Sequence, residues 1–231
     1  MFGAEFSRAA LSLPIAFLPM EGRFFPRALL SLIPGKNLFI APDGRWLGSY
    51  VPAILRGYPF RLAETPDGQK VLVVDTDSGL IHEGSQHEAF VGEDGKLSPV
   101  LAEILNFLTQ VENTKAPTAN ACDALQALEI IVPWEITLRT EQGDKQIDGL
   151  FKIDEARLNA LTDDAYLSLR QAGALPLAYC QMLSMHHLPM LSKLVDAHSK
   201  HAQSVQADTL AKELCLEFLK TDGGLNFSGF I

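Results

Sequence analysis

Apolar and polar positions follow two different beats along this chain, a strand-like one first and a helix-like one later. The run LPIAFL, residues 13–18, is continuously apolar over strand length and predicts a buried strand. Further on, apolar and polar residues partly alternate on both sides of two Gly-containing turns. FRLAE and the segment 70–75 flank TPDG; the segments 135–140 and 145–153 flank EQGD. Each pair predicts a hairpin of β-branched and aromatic strands. PDG at 42–44 and EDG at 93–95 mark two more turns.

The helical beat begins at Ser98-Pro99, an N-cap followed by proline at the first helical position. Leu101, Ile104, Leu105, Leu108 and Val111 then share one face. A second helix is expected over residues 118–131, ended by Pro133. Asp154 caps a short one, and Thr162 caps the next, with Asp163 and Asp164 in its first turn and Gly173 past its end. Residues 175–220 read as helical, with breaks near Pro189 and around Ser204. The pattern predicts an α+β fold, with antiparallel strands and hairpins in the first two-thirds and a helical C-terminal third. The expected layout is one domain over 1–231: β-rich 1–95, helices 98–131, a hairpin 134–153, helices 154–220 and a short tail 221–231. That tail, with its GGLNFSGFI ending, reads either as a docked end or as a recognition segment.

With 231 residues, 47% of them hydrophobic, the chain is large enough to bury a core. The net charge of −9 is uneven: residues 1–64 hold seven Lys/Arg against four Asp/Glu. An acidic whole without a basic run argues against nucleic-acid binding. Three well-separated cysteines, Cys122, Cys180 and Cys215, form no disulfide framework and read as core filling in a reducing compartment. Two segments imitate membrane signals. Residues 9–20 are interrupted by Pro14 and Pro19, preceded by Glu5 and followed by no cleavage pattern. Residues 172–191 have the length of a span but contain Gln181, His186-His187 and two prolines. Neither is expected to enter a membrane, and the expected location is the cytoplasm, with export by a C-terminal signal left open.

Catalytic patterns are missing from the sequence. HEGSQH, from His82 to His87, is one residue too long for the zinc-protease H-E-x-x-H, and Gly84 argues for a loop. His198 and His201 read as an exposed helix face. His186 and His187 divide into one interior and one solvent-facing ring. No nucleophile elbow or phosphate cradle occurs, and neither metal nor cofactor is implied. One stretch stands out: NLFIAPDGRWLGSYVPAILRGYPFRLA, residues 37–63. On a structural reading Asp43-Gly44 turns the chain, Trp46, Tyr50, Val51 and Phe60 cover a core, and Pro52 starts a short helix ended by Gly57 and Pro59. On a functional reading Arg45, Trp46, Tyr50, Arg56 and Tyr58 form an aromatic–cationic surface for a protein segment or a small anion.

The motifs N-L-F-I-x-x-D-G-R-W, Y-V-P-A-x-x-R-x-Y-P-F and G-L-F-x-I-D-E, together with the segment 148–175, resemble the SapC-like family of bacterial proteins over nearly the whole chain. The resemblance implies a link to cell-envelope or surface-layer biogenesis, with no established reaction. Neighbourhoods containing TonB-dependent receptors and tryptophan-halogenase-like proteins further imply an accessory role in uptake. The peptide-transporter permease of the same name is a different protein, since this chain lacks several apolar spans. The leading expectation is therefore a soluble, non-enzymatic accessory or interaction protein with a protein partner from the envelope or outer-membrane transport machinery. The competing one is a small-molecule binder or enzyme with an acidic/His pocket near Asp75, Asp77, His82 and His87. A third is an exported surface-layer component.

Overall fold

The computed structural model describes residues 3–84, 87–92, 94–140 and 143–220, the stretch from 207 onward as helix backbone. A short helix α1 (Phe6–Ala10) leads into strand β1 (Ile15–Met20), which turns at Glu21-Gly22 and returns as β2 (Arg23–Ala28). A long connection carries the one-turn helix α2 (Ala53–Arg56). The hairpin of β3 (Phe60–Glu64) and β4 (Lys70–Val74) follows. Helices α3 (Pro99–Asn113) and α4 (Lys115–Ala127) come next, then β5 (Ile131–Pro133) and the hairpin of β6 (Ile136–Thr140) and β7 (Gly143–Ile147). Strand β8 (Phe151–Ile153) precedes helices α5 (Glu155–Asn159), α6 (Asp163–Gln171), α7 (Ala174–Ser184) and α8 (Leu188–Lys220). Strands join in the order β2-β1-β8-β5, all antiparallel, with β3-β4 and β6-β7 as separate pairs. The architecture is α+β, strands and hairpins towards the N-terminus and helices towards the C-terminus, as the periodicity predicts.

Strand β1 explains why LPIAFL has no polar face. Period-two alternation sends Ile15 and Phe17 into a core shared with α1, α4, α6 and α7, where Cys122, Leu125, Leu169 and Leu177 also lie. It sends Ala16 into a second core with Leu29, Phe39, Ile136, Leu150 and Leu191, against which Leu18 packs. A strand buried on both faces must be apolar at every position. Full burial of side chains such as Phe17 stabilises by roughly 1.5–3 kcal/mol each.

The β1–β8 pairing is short, with Phe17 opposite Phe151. Where the ladder would continue, helix α7 inserts a side chain. The buried Gln181 amide donates to the Ile15 carbonyl at 3.0 Å and accepts from the Ile153 N–H at 2.9 Å. Ser184 accepts from the Ile15 N–H at 3.0 Å. Gln181, which argued against a membrane span over 172–191, thus completes a sheet. Among the described residues no helix is long and apolar enough to cross a membrane.

Several expectations are corrected. The segment 145–153 does not form one hairpin arm: β7 ends at Ile147, the chain bends at Gly149, and β8 joins the four-stranded sheet. Residues 118–131 are not one helix, because Glu129 adopts a positive φ of 54° and Ile131 begins β5. Helix α8 runs unbroken through Ser204, whose hydroxyl donates to its own helix at the His201 carbonyl, 2.8 Å away. His198 is half-buried rather than exposed, with Nε2 2.9 Å from the Leu38 carbonyl, tying α8 to the long connection; His201 is exposed. His186 faces solvent as expected, whereas His187 is half-buried rather than interior. Cys122 is fully buried, Cys180 partly so; Cys215 and the tail 221–231 lie outside the described side chains.

Candidate functional site

The 42–44 turn closes by its own chemistry. Asp43 Oδ1 accepts from the Arg45 N–H at 3.0 Å, and Oδ2 pairs with the Arg45 guanidinium at 2.6 Å. That guanidinium holds the exposed Asp43 carboxyl below the usual carboxylate range. Beyond the turn, the Trp46 ring stacks on Phe39, centroids 5.4 Å apart and 21° between planes, while its N–H donates to the Tyr50 carbonyl at 3.1 Å. Gly48 permits this approach: a Cβ there would lie 2.8 Å from Trp46 Nε1. The corner is therefore built around a half-buried indole.

Helix α2 begins at Pro52-Ala53, and a proline N-cap offers no side chain to its first N–H groups. Glu5, immediately before α1 and only 8% exposed, supplies the missing acceptor from 48 residues away. Its Oε1 accepts from the Ala53 N–H and, at 3.0 Å, from the Tyr50 hydroxyl. The Tyr50 hydroxyl in turn accepts from Arg56 Nη2 at 3.1 Å, and Arg56 Nε donates to the Val51 carbonyl at 3.1 Å. The guanidinium sits 4.7 Å from the Phe107 ring centroid and 5.4 Å from that of Tyr50. Burial, helped by the neighbouring Glu5 carboxylate, pushes the Tyr50 phenol up to about 12 against the opposing pull of Arg56. A cavity of about 430 Å³ opens beside this chain of contacts, between α1, α2 and α3.

Of the five residues singled out in the sequence, Tyr50 and Arg56 meet directly and Trp46 joins them through the Tyr50 backbone. Arg45 turns back on Asp43. Tyr58, 51% exposed, points its hydroxyl at Asp75 Oδ2, 3.5 Å away. Sequence reasoning missed Glu5, Arg8 and Phe107, which also line the cavity. Phe107 carried a signal, as an aromatic off the apolar stripe of α3. Glu5 carried a fainter one, as the first acid in the chain, just ahead of an apolar segment.

The second region considered in the sequence takes a different form. His82 and His87 meet at a tilt of 31°, centroids 5.0 Å apart, on a groove of about 280 Å³ walled mainly by Phe60, Leu80, Phe90, Leu101 and Ile104. Asp75 and Asp77 do not line it; Asp75 instead accepts from the Asp77 N–H at 3.1 Å and caps a tight turn. Among the described residues no three His, Cys, Asp or Glu side chains converge as metal ligands.

Comparison with protein families finds one model, described as SapC, that matches residues 1–191, a span containing the corner, the cavity and the first turn of α8. No curated protein and no solved structure matches the chain.

Proposed function

This chain belongs to the SapC family, and from that premise we propose that it is a soluble, non-enzymatic interaction protein serving a bacterial cell-envelope, surface-layer or outer-membrane uptake system from the cytoplasmic side. One observation carries the interaction reading. Around α2, Ile54 is 81% exposed and Tyr58 51% exposed, and between them Arg56 is fixed over two aromatic rings. Exposed apolar side chains beside a preorganised arginine suit an interface core better than a solvated surface, because ordering the arginine costs nothing further on association. The link to the envelope rests on the family alone.

Trp46 is a poor probe of this surface, since it also packs on Phe39. Ile54→Asp and Tyr58→Ala change only exposed side chains. In a pull-down from native bacterial lysate, wild type is expected to retain a specific envelope-associated protein that Ile54→Asp/Tyr58→Ala loses while its circular dichroism is unchanged. Identical captured sets for the two proteins would remove α2 as the working surface.

A further inference from the structure

We infer that the cavity between α1, α2 and α3 is a binding site for a small zwitterion, the α-amino carboxylate head of a free apolar amino acid. The inference is distinct from the partner surface: the two share Arg56, but the cavity uses neither Ile54 nor Tyr58.

The charges of the cavity are incompletely matched. Glu5 is 8% exposed, and both hydrogen bonds it receives go to Oε1. Its Oε2 has no partner among the described residues. No buried side-chain oxygen among the described residues lacks a partner, so Oε2 is solvent-accessible, and Glu5 lines the cavity. Arg8, three residues on and within α1, lines the same cavity and makes no hydrogen bond or ion pair to a described residue. Arg56 uses Nε and Nη2 within the protein, which leaves Nη1 as a donor. A carboxylate acceptor and two guanidinium donors therefore face one space, with the Tyr50 hydroxyl standing between Glu5 and Arg56 in place of a direct ion pair.

Ligand charge decides what fits. A simple anion would satisfy the arginines but lie against the free oxygen of Glu5. A simple cation would satisfy Glu5 but lie against two guanidiniums. Glu5 is buried while Arg8 and Arg56 stand exposed at the rim, and a ligand carrying both signs is the kind that complements all three groups. The two signs must sit close together, because a single hydroxyl separates Glu5 from Arg56. An α-amino acid meets that condition, with its ammonium to Glu5 and its carboxylate to Arg8 and Arg56 as charge-assisted hydrogen bonds. Phe107 and Val111 supply apolar wall for the side chain, and about 430 Å³ accommodates an amino acid of leucine or phenylalanine size.

The probes are L-leucine and L-phenylalanine, titrated calorimetrically into the full chain. Each is compared with its N-acetyl form, which lacks the ammonium, and its amide, which lacks the carboxylate. At least one free amino acid is expected to bind saturably, with either derivative weaker by about tenfold or more. Glu5→Gln keeps the acceptor for Ala53 and Tyr50 but removes the charge. It is expected to abolish the preference for the free amino acid over its N-acetyl form. Arg8→Ala removes no hydrogen bond or ion pair to a described residue and is expected to weaken binding of the free and N-acetyl forms alike, leaving the amide unaffected. Absence of saturable binding by both amino acids overturns the inference, and so does equal affinity for free and derivatised forms. Since Ile54 and Tyr58 do not line this cavity, the pull-down result and the titration stand or fall separately.

Discussion

Tyr50 shows how much a single side chain depends on what surrounds it. Its hydroxyl donates to Glu5 and accepts from Arg56, and its backbone carbonyl takes the Trp46 N–H. Ionising the phenol would place a second anion beside Glu5 and remove the proton it donates, so the folded state resists ionisation. The sign follows directly. A pKa raised from the ordinary 10 to about 12 contributes stability that is fully present below pH 10 and lost as pH rises towards 12. Tyr50→Phe removes that ionisation. The wild-type urea midpoint is expected to fall more steeply between pH 10 and pH 12 than that of Tyr50→Phe, and the phenolate absorbance that distinguishes the two proteins is expected to rise near pH 12. A difference titration centred at pH 10 would show that the Glu5–Tyr50 bond is not maintained in solution. Cys122, raised to about 12 by burial, is inert for the same physical reason: its thiolate would have to form inside an apolar core.

At the scale of elements, local signals were legible where local interactions decide. Ser98, Asp154 and Thr162 each cap a helix with a side-chain acceptor three residues ahead of the receiving N–H, as their sequence contexts predict. Gly173 ends the α6 turn in a left-handed conformation, φ 67°, and open space surrounds the position where a methyl group would stand. Gly173→Ala is therefore a backbone test without a packing component. It is expected to lower unfolding free energy by about 1–2 kcal/mol in urea, with Gly173→Asn recovering part of the loss. A loss below a few tenths would mean that α7 does not need this geometry at its start. Strand partners were less legible. Residues 145–153 have strand composition throughout, but composition does not say that β7 stays in a hairpin while β8 leaves to pair with β1 and β5. Similarly, Ile131–Pro133 continues an apolar stretch from α4, and only the turn at Glu129 makes it a strand. Glu5 as acceptor for α2 could not be read locally, because its partners lie 45 and 48 residues away.

For the whole molecule, Gln181 is the residue through which the helical third holds the sheet. Its amide spans β1 and β8 from a helix 166 residues beyond Ile15 in sequence, and it is fully buried. Gln181→Ala would leave the Ile15 carbonyl and the Ile153 N–H without partners, each costing about 1–3 kcal/mol, on top of the cavity left behind. A destabilisation of at least about 2 kcal/mol is expected, measured as a shift in urea midpoint at constant slope. Protection of the Ile153 amide from hydrogen exchange is expected to drop with it. A variant as stable as wild type would mean that water or a ladder shift replaces the amide.

The sequence by itself determined the class of fold, the positions of helix caps and turns, the two-faced burial of β1 and membership of a family. All of these follow from contacts within a few residues or from patterns repeated along the chain. Tertiary structure alone decided which strands share a sheet, which polar side chains are consumed internally and which charges are left facing a cavity. The reason is that a polar group declares its role only when its partner is known. Arg45 and Arg56 read alike in the sequence, yet one folds back on Asp43 two residues away while the other is held by Tyr50, Val51 and Phe107 beside an open space.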